Sequence, residues 1–351
     1  MLKKIVAVLA LSLTLSSCTG ISKELSERLI VSALGIDYKN GMYTLTALCL
    51  STEGISNEQK DYNTEIISCE AKELYSAFLG LSSKTVKEIF WEQAAVAVIG
   101  KGTAEDVCFD TMKFLIYNES LRINMNVFLA ENTAAELLKL PASGGGAITA
   151  EIEELLENKP DGYDFKVELY DIASGVFSSG VTGFIPIVSP IEEEVKGQEK
   201  EAEKGYRIAV KELAIIDKNK VVGRATGNAL TGIMLLKNRA ESVRFTFSKE
   251  GASFYANAYN PFVIISSAEN ENAVVVELFS CVKLDAADGK HDKKQLNIIV
   301  KEKLNNIVET AYEYCYFELG VDLFNFDYFS KSDDKEKTLK INLNTNVNLS
   351  F

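Results

Sequence analysis

The chain has 351 residues, long enough for two or more domains, each with its own core. It carries 50 acidic against 37 basic side chains, a formal net charge of −13, which argues against nucleic acid or an anionic lipid surface as its partner. Its apolar share of 47% is that of an ordinary folded chain, and past the N-terminus no run approaches the ~18 uninterrupted apolar residues of a membrane-spanning helix.

The first residues stand apart. Lys3 and Lys4 precede an apolar stretch from Ile5 to Leu15, too short to cross a hydrocarbon core of ~30 Å. Small residues Ser16 and Ser17 then lead to Cys18. The order is that of a secretory signal peptide over residues 1–17. Leu15-Ser16-Ser17-Cys18 resembles the bacterial lipobox, in which the cysteine thiol takes a diacylglyceryl group through a thioether and becomes the first residue after cleavage. The plainer alternatives are a signal peptide with a chance cysteine, or a short buried helix. The agreement of charge, apolar stretch and lipobox in order and spacing favours lipidation at Cys18. Two acyl chains give a hold on the membrane that one cannot, so attachment is expected from lipid and not from a basic patch.

Downstream, the apolar run at residues 29–36 is followed by a turn signal at Lys39-Asn40-Gly41 and a strand from Tyr43 to Leu50, which together read as a β-hairpin. Glu65 to Cys69 reads as a further strand. Leu74, Ala77, Phe78 and Leu81 have helical spacing. The apolar run AAVAVI before Gly100 reads as a buried strand. A capping pattern at Thr103 to Asp106 opens a helix to about Tyr117. Asn126 to Ala130 is a strand, and Thr133 to Glu136 starts a second capped helix to Leu140. Gly144 to Gly146 lack the lysine and the preceding strand of a phosphate-binding loop, so they read as a connector. Helices are expected over Ile148 to Asn158 and Asp164 to Phe177, with a strand from Val181 to Val188 closed by Pro190.

Residues 191–205 are nearly all charged and carry no apolar stripe, which predicts a solvated linker between an N-terminal α+β domain (18–190, with room for two subdomains) and a C-terminal α+β domain (206–351). The second half opens with a strand from Tyr206 to Ile216 and a turn at Asp217 to Lys220. A short helix follows from Thr226 to Leu236, then strand-like runs at 242–247, 262–266 and 273–284. Lys293 to about Phe317 has the strongest helical pattern, with Leu296, Val300, Leu304, Ile307, Ala311 and Cys315 in one stripe. The chain ends in alternation from Leu339 to Leu349, a half-buried strand. The expected class is α+β, with antiparallel sheets and a long C-terminal helix packed on a sheet.

Candidate chemistry is sparse. Beyond Cys18 there are five cysteines, Cys49, Cys69, Cys108, Cys281 and Cys315, with no CxxC. Cys49, Cys108 and Cys315 sit in apolar runs and read as small core residues. His291 is the sole histidine, in a polar stretch, and with scattered cysteines it makes no zinc pattern and no evident catalytic base. No metal, cofactor or catalytic set is expected. A lipid-anchored hydrolase using paired carboxylates is conceivable, but no spacing singles out a pair.

The segment running Glu24 to Asp37, ending Gly35-Ile36-Asp37 ahead of the hairpin, resembles the start of the Ger(x)C family, the lipoprotein C subunits of bacterial spore germinant receptors. Further matches follow in order: Ile89 to Gly100 with Lys101 to Ala104, Asn126 to Ala130 with Thr133-Ala134, Leu213 to Gly223 ending Lys-Val-Val-Gly, and Val321-Asp322-Leu323-Phe324-Asn325-Phe326. Two departures mark a divergent member. Thr19-Gly20 replace the tryptophan often found after the lipidated cysteine, and Tyr328-Phe329-Ser330 stand in for a tryptophan-bearing segment. The resemblance implies a non-enzymatic subunit on the outer face of the spore's inner membrane, assembled with a polytopic A subunit and a transporter-like B subunit. It carries over one functional residue, Cys18, as lipid acceptor. The competing reading is a solute-binding lipoprotein of a transporter, which usually has two lobes with parallel sheets.

Overall fold

The computed structural model describes residues 28–51, 63–143, 145–177, 182–195, 203–218, 220–269, 273–286, 292–330 and 339–350. Cys18, the signal peptide at 1–17 and His291 lie outside them.

β1 (Arg28–Lys39) and β2 (Met42–Ser51) form the expected hairpin. Asn40 and Gly41, at φ 52° and 78°, supply the two left-handed residues that a two-residue hairpin turn of the primed type requires. β3 (Asn63–Ala71) pairs antiparallel with β2. On the other side of β1 the sheet changes character. β5 (Val96–Ile99), β6 (Asn126–Ala130) and β7 (Gly183–Val195) follow in parallel, and β8 (Glu203–Asp217) and β9 (Lys220–Thr226) finish the sheet antiparallel. A short β4 (Glu88–Phe90) lies parallel to the start of β1. The expectation of antiparallel sheets therefore holds for the hairpins and fails in the middle. All four residues of β5 are buried, the continuous apolar signature of a strand covered on both faces.

The helices on this sheet follow from local pattern. α1 (Leu74–Leu81) buries Leu74, Ala77, Phe78 and Leu81, the four residues its spacing marks. The single helix expected to run to Tyr117 is two, α2 (Lys101–Asp106) and α3 (Cys108–Tyr117). Val107 breaks it, leaving helical geometry at φ −138°, ψ 29°. In α4 (Ala134–Leu138) the Thr133 hydroxyl accepts the Glu136 N–H, as the capping pattern predicts. α5 (Ile148–Asn158) matches its expected bounds, whereas α6 (Leu169–Phe177) starts five residues late. Of residues 164–168, Val167 and Glu168 lie beside the start of β6, while the Asp164 N–H donates to the Arg239 carbonyl. The Val127 N–H donates to the Val167 carbonyl, and an Asp164 carboxylate oxygen accepts the Lys166 N–H in a local turn.

The charged stretch expected to be a linker is, at its described ends, a pair of strands. β7 runs past Pro190 to Val195, and Glu192 faces Tyr206 while Val195 faces Glu203 in β8. Lys204 meets Glu192 at 2.8 Å and Arg207 meets Glu193 at 3.0 Å. Opposite charges placed across a ladder suit an exposed hairpin as well as they suit a solvated linker, which is why composition alone misread it. One consequence is topological. β8 and β9, expected in the C-terminal domain, complete the first sheet, and the expected boundary falls inside a hairpin.

The second sheet is a meander of β10 (Ser242–Lys249), β11 (Ala252–Ser267) and β12 (Ala273–Ala286), with β13 (Lys340–Ser350) parallel to β12 at its edge. Parallel neighbours need a crossover, and the long helix α8 (Lys293–Tyr312) lies within that connection. Its twenty residues span about 30 Å. Leu296, Val300, Leu304, Ile307 and Ala311 are buried as one stripe, with Val308 beside it. The helix does not continue regularly to Phe317; residues Glu313–Glu318 widen into a π-helical turn that still buries Cys315. α7 (Gly227–Leu236) packs on α8, and a last short helix, α9 (Phe326–Ser330), precedes β13.

Candidate functional site

The motif residues of the first half converge on one place, the carboxyl ends of β1, β5 and β6. In sheets with parallel strands this edge is where ligands usually bind, because helix N-termini with free N–H groups point at it. Here the position is filled from within. Asp37, at the end of β1, offers one carboxylate oxygen to the Ala134 N–H at 2.8 Å and the other to the Ala135 N–H at 2.9 Å. The chain's own carboxylate occupies the anion position at the start of α4. Burial, the largest influence, pushes the Asp37 carboxyl above the ordinary carboxylate range, and the two N–H bonds pull the other way.

The neighbours fit this arrangement. The Gly100 N–H donates to the Ile36 carbonyl, and the buried Thr103 hydroxyl donates to the same oxygen at 3.0 Å. A Cβ on Gly100 would lie 1.9 Å from a carboxylate oxygen of Asp37. Gly35-Ile36-Asp37, Gly100, Thr103 and Thr133-Ala134 are thus one structural node that ties two parallel strands to two helix starts. Thr133 was legible as a cap; Asp37 was visible as part of a motif, but its role as a second cap for the same helix was not.

The motif residues of the second half behave alike. The two oxygens of Asp322 accept N–H bonds from Phe326 and Asp327, capping α9, while Phe324 and Phe326 are buried. Gly223 in β9 gives room to Leu319 and Tyr314, and the Tyr314 hydroxyl donates to the Arg224 carbonyl at 2.9 Å. That contact fastens the first sheet to the π-helical turn after α8.

Cys49, Cys108 and Cys315 are buried, as their apolar surroundings predict, and burial pushes their thiols up to about 12, 11 and 12 respectively. They are inert core groups. Among the described residues no three His, Cys, Asp or Glu side chains come together as a metal site, and no helix is long and apolar enough to cross a membrane.

Residues 22–190 match the family described as the spore germination protein N-terminal domain. The whole fold is similar to that of the GerBC protein, known from a crystal structure, with a TM-score of 0.52 and 15% identity over 90% of this chain and 96% of that one. No curated protein matches the chain. Residues 22–190 thus form a domain of the spore germination protein N-terminal type. The match agrees with the Ger(x)C resemblance of the ordered motifs, and the likeness to GerBC is one of fold.

Proposed function

We propose that the chain is the lipid-anchored, non-catalytic C subunit of a nutrient germinant receptor. The observation that carries this reading is the spore germination domain over residues 22–190, set in a fold that resembles GerBC along most of the chain. Its motif residues support a scaffolding role, since their polar groups are spent on capping the chain's own helices. Cys18 is the lipid acceptor that holds the protein on the outer face of the spore inner membrane. Nine residues separate Cys18 from Arg28, so even a fully extended chain keeps the start of β1 within ~35 Å of the anchor. The folded part then docks on the polytopic A and transporter-like B subunits.

Two experiments test this. Affinity purification from detergent-solubilised spore membranes should recover two polytopic partners, and deleting the gene should abolish germination with its nutrient. Normal germination in a strain with no redundant receptor contradicts the proposal. Separately, Cys18→Ala should abolish incorporation of radiolabelled lipid while leaving the folded domains intact; label that persists shows that the anchor is elsewhere.

A further inference from the structure

A cavity of about 180 Å³ lies where α6, the start of β7, the end of β8 and the residues after α7 meet. Ile172, Ile185 and Ile216 give it apolar walls, and two cations, Lys237 and Arg239, line it. Arg239 is already held. It donates to the Lys166 carbonyl, stands 3.9 Å from a carboxylate oxygen of Asp171, and lies over the Phe184 ring at 5.6 Å. Lys237 is not held. Among the described residues its ammonium has no hydrogen bond and no ion pair.

A lysine just past a helix places positive charge at the helix's negative end, and that alone accounts for a cation here. It does not account for a cavity beside it. The carboxylate whose field reaches Lys237 is Asp322, and both its oxygens are committed to the N–H groups of α9. Burial first, and then the neighbouring Arg239, push the Lys237 ammonium below its usual range. A half-buried ammonium beside a guanidinium, with no carboxylate bonded to it, is a position that an incoming anion would stabilise.

We propose that this cavity binds a small monocarboxylate with a short alkyl body, its carboxylate on Lys237 and Arg239 and its alkyl part on Ile172, Ile185 and Ile216. The walls choose between anions. Asp171 and Thr182 also line the cavity, so a phosphate would set its remaining oxygens against a carboxylate and aliphatic carbon, whereas an alkyl chain belongs on the isoleucines. The volume is below the ~300 Å³ of drug-sized sites and suits a molecule of a few heavy atoms. This inference does not depend on the receptor reading.

The test is calorimetric titration of the full-length chain in detergent micelles with propionate, butyrate and inorganic phosphate. Saturable binding of propionate or butyrate is expected, with none of phosphate. Lys237→Met and the near-isosteric Lys237→Gln should each weaken it roughly tenfold or more, the loss of one charge-assisted bond. In the unsubstituted protein, propionate should also shield Lys237 from an amine-acylating reagent. The proposal is overturned if neither acid binds saturably, if phosphate binds as tightly, if both variants bind like the parent, or if propionate leaves Lys237 equally reactive.

Discussion

Gly232→Ala is expected to destabilise the protein by about 1–3 kcal/mol, the typical cost of overpacking a filled core. α7 and α8 meet at this glycine. A Cβ built there would lie 2.3 Å from the Ile307 carbonyl oxygen and 2.5 Å from the Ala311 Cβ. The nearer obstacle is backbone, so no rotamer change relieves it and the helices must part. Parting them loosens Ile233, Met234 and Leu235 on one helix and Ile307, Val308 and Ala311 on the other, all buried. Working against this, alanine is about 1 kcal/mol better than glycine inside a helix. Gly80→Ala in α1 is the control. Its added Cβ would meet the Cys69 sulfur at 2.5 Å, but that is a partly exposed side chain that can turn away. Urea unfolding midpoints should fall clearly for Gly232→Ala and much less for Gly80→Ala. Equal midpoints would mean that the two helices are not in backbone contact.

What the sequence revealed was whatever repeats within a short window. The stripe from Leu296 to Cys315 and the four apolar residues of α1 are buried as their spacing requires. The Asn40-Gly41 turn is local too, because both residues adopt the positive φ that the turn needs. Strand order was not local. β1 meets β5, and β5 meets β6, only after helices intervene, and nothing in either strand names its neighbour. The charged arms of β7 and β8 lack an apolar stripe because both lie at an exposed end of the hairpin, and an exposed strand and a solvated linker share that composition. Val107 is apolar and fits the pattern, but as a β-branched residue it is a modest helix former, and its backbone angles break the α2–α3 helix. The node at Asp37 was half legible. Its Gly-Ile-Asp sequence stood out, but its hydrogen-bond partners lie 97 and 98 residues away. The lysine-lined cavity was illegible, since four separate segments contribute to it.

Asp37→Ala is expected to cost about 2–4 kcal/mol. It removes the acceptor for two N–H groups at a partly buried helix start, and an unsatisfied buried donor costs ~1–3 kcal/mol. Thr133 still caps the Glu136 N–H, so α4 is weakened and not lost. Asp37→Asn keeps one acceptor and should cost about half as much. The two variants also report on charge. Because the folded protein raises the Asp37 pKa, the stability linked to this group is fully present below the unfolded carboxylate's pKa and declines as pH rises through the folded value. The advantage of the parent over Asp37→Asn should therefore be larger in mildly acidic buffer than at neutral pH; a gap that widens toward neutral pH would show that the N–H bonds outweigh burial. Gly100→Ala reaches the same node from the other side, since its methyl group would occupy the place of the carboxylate oxygen, 1.9 Å away. Once Asp37 is alanine that collision disappears. In a double-mutant cycle Gly100→Ala should therefore cost much less in the Asp37→Ala background than alone, a coupling of about 0.5–3 kcal/mol. Additive penalties would place the two residues in separate roles and dissolve the node.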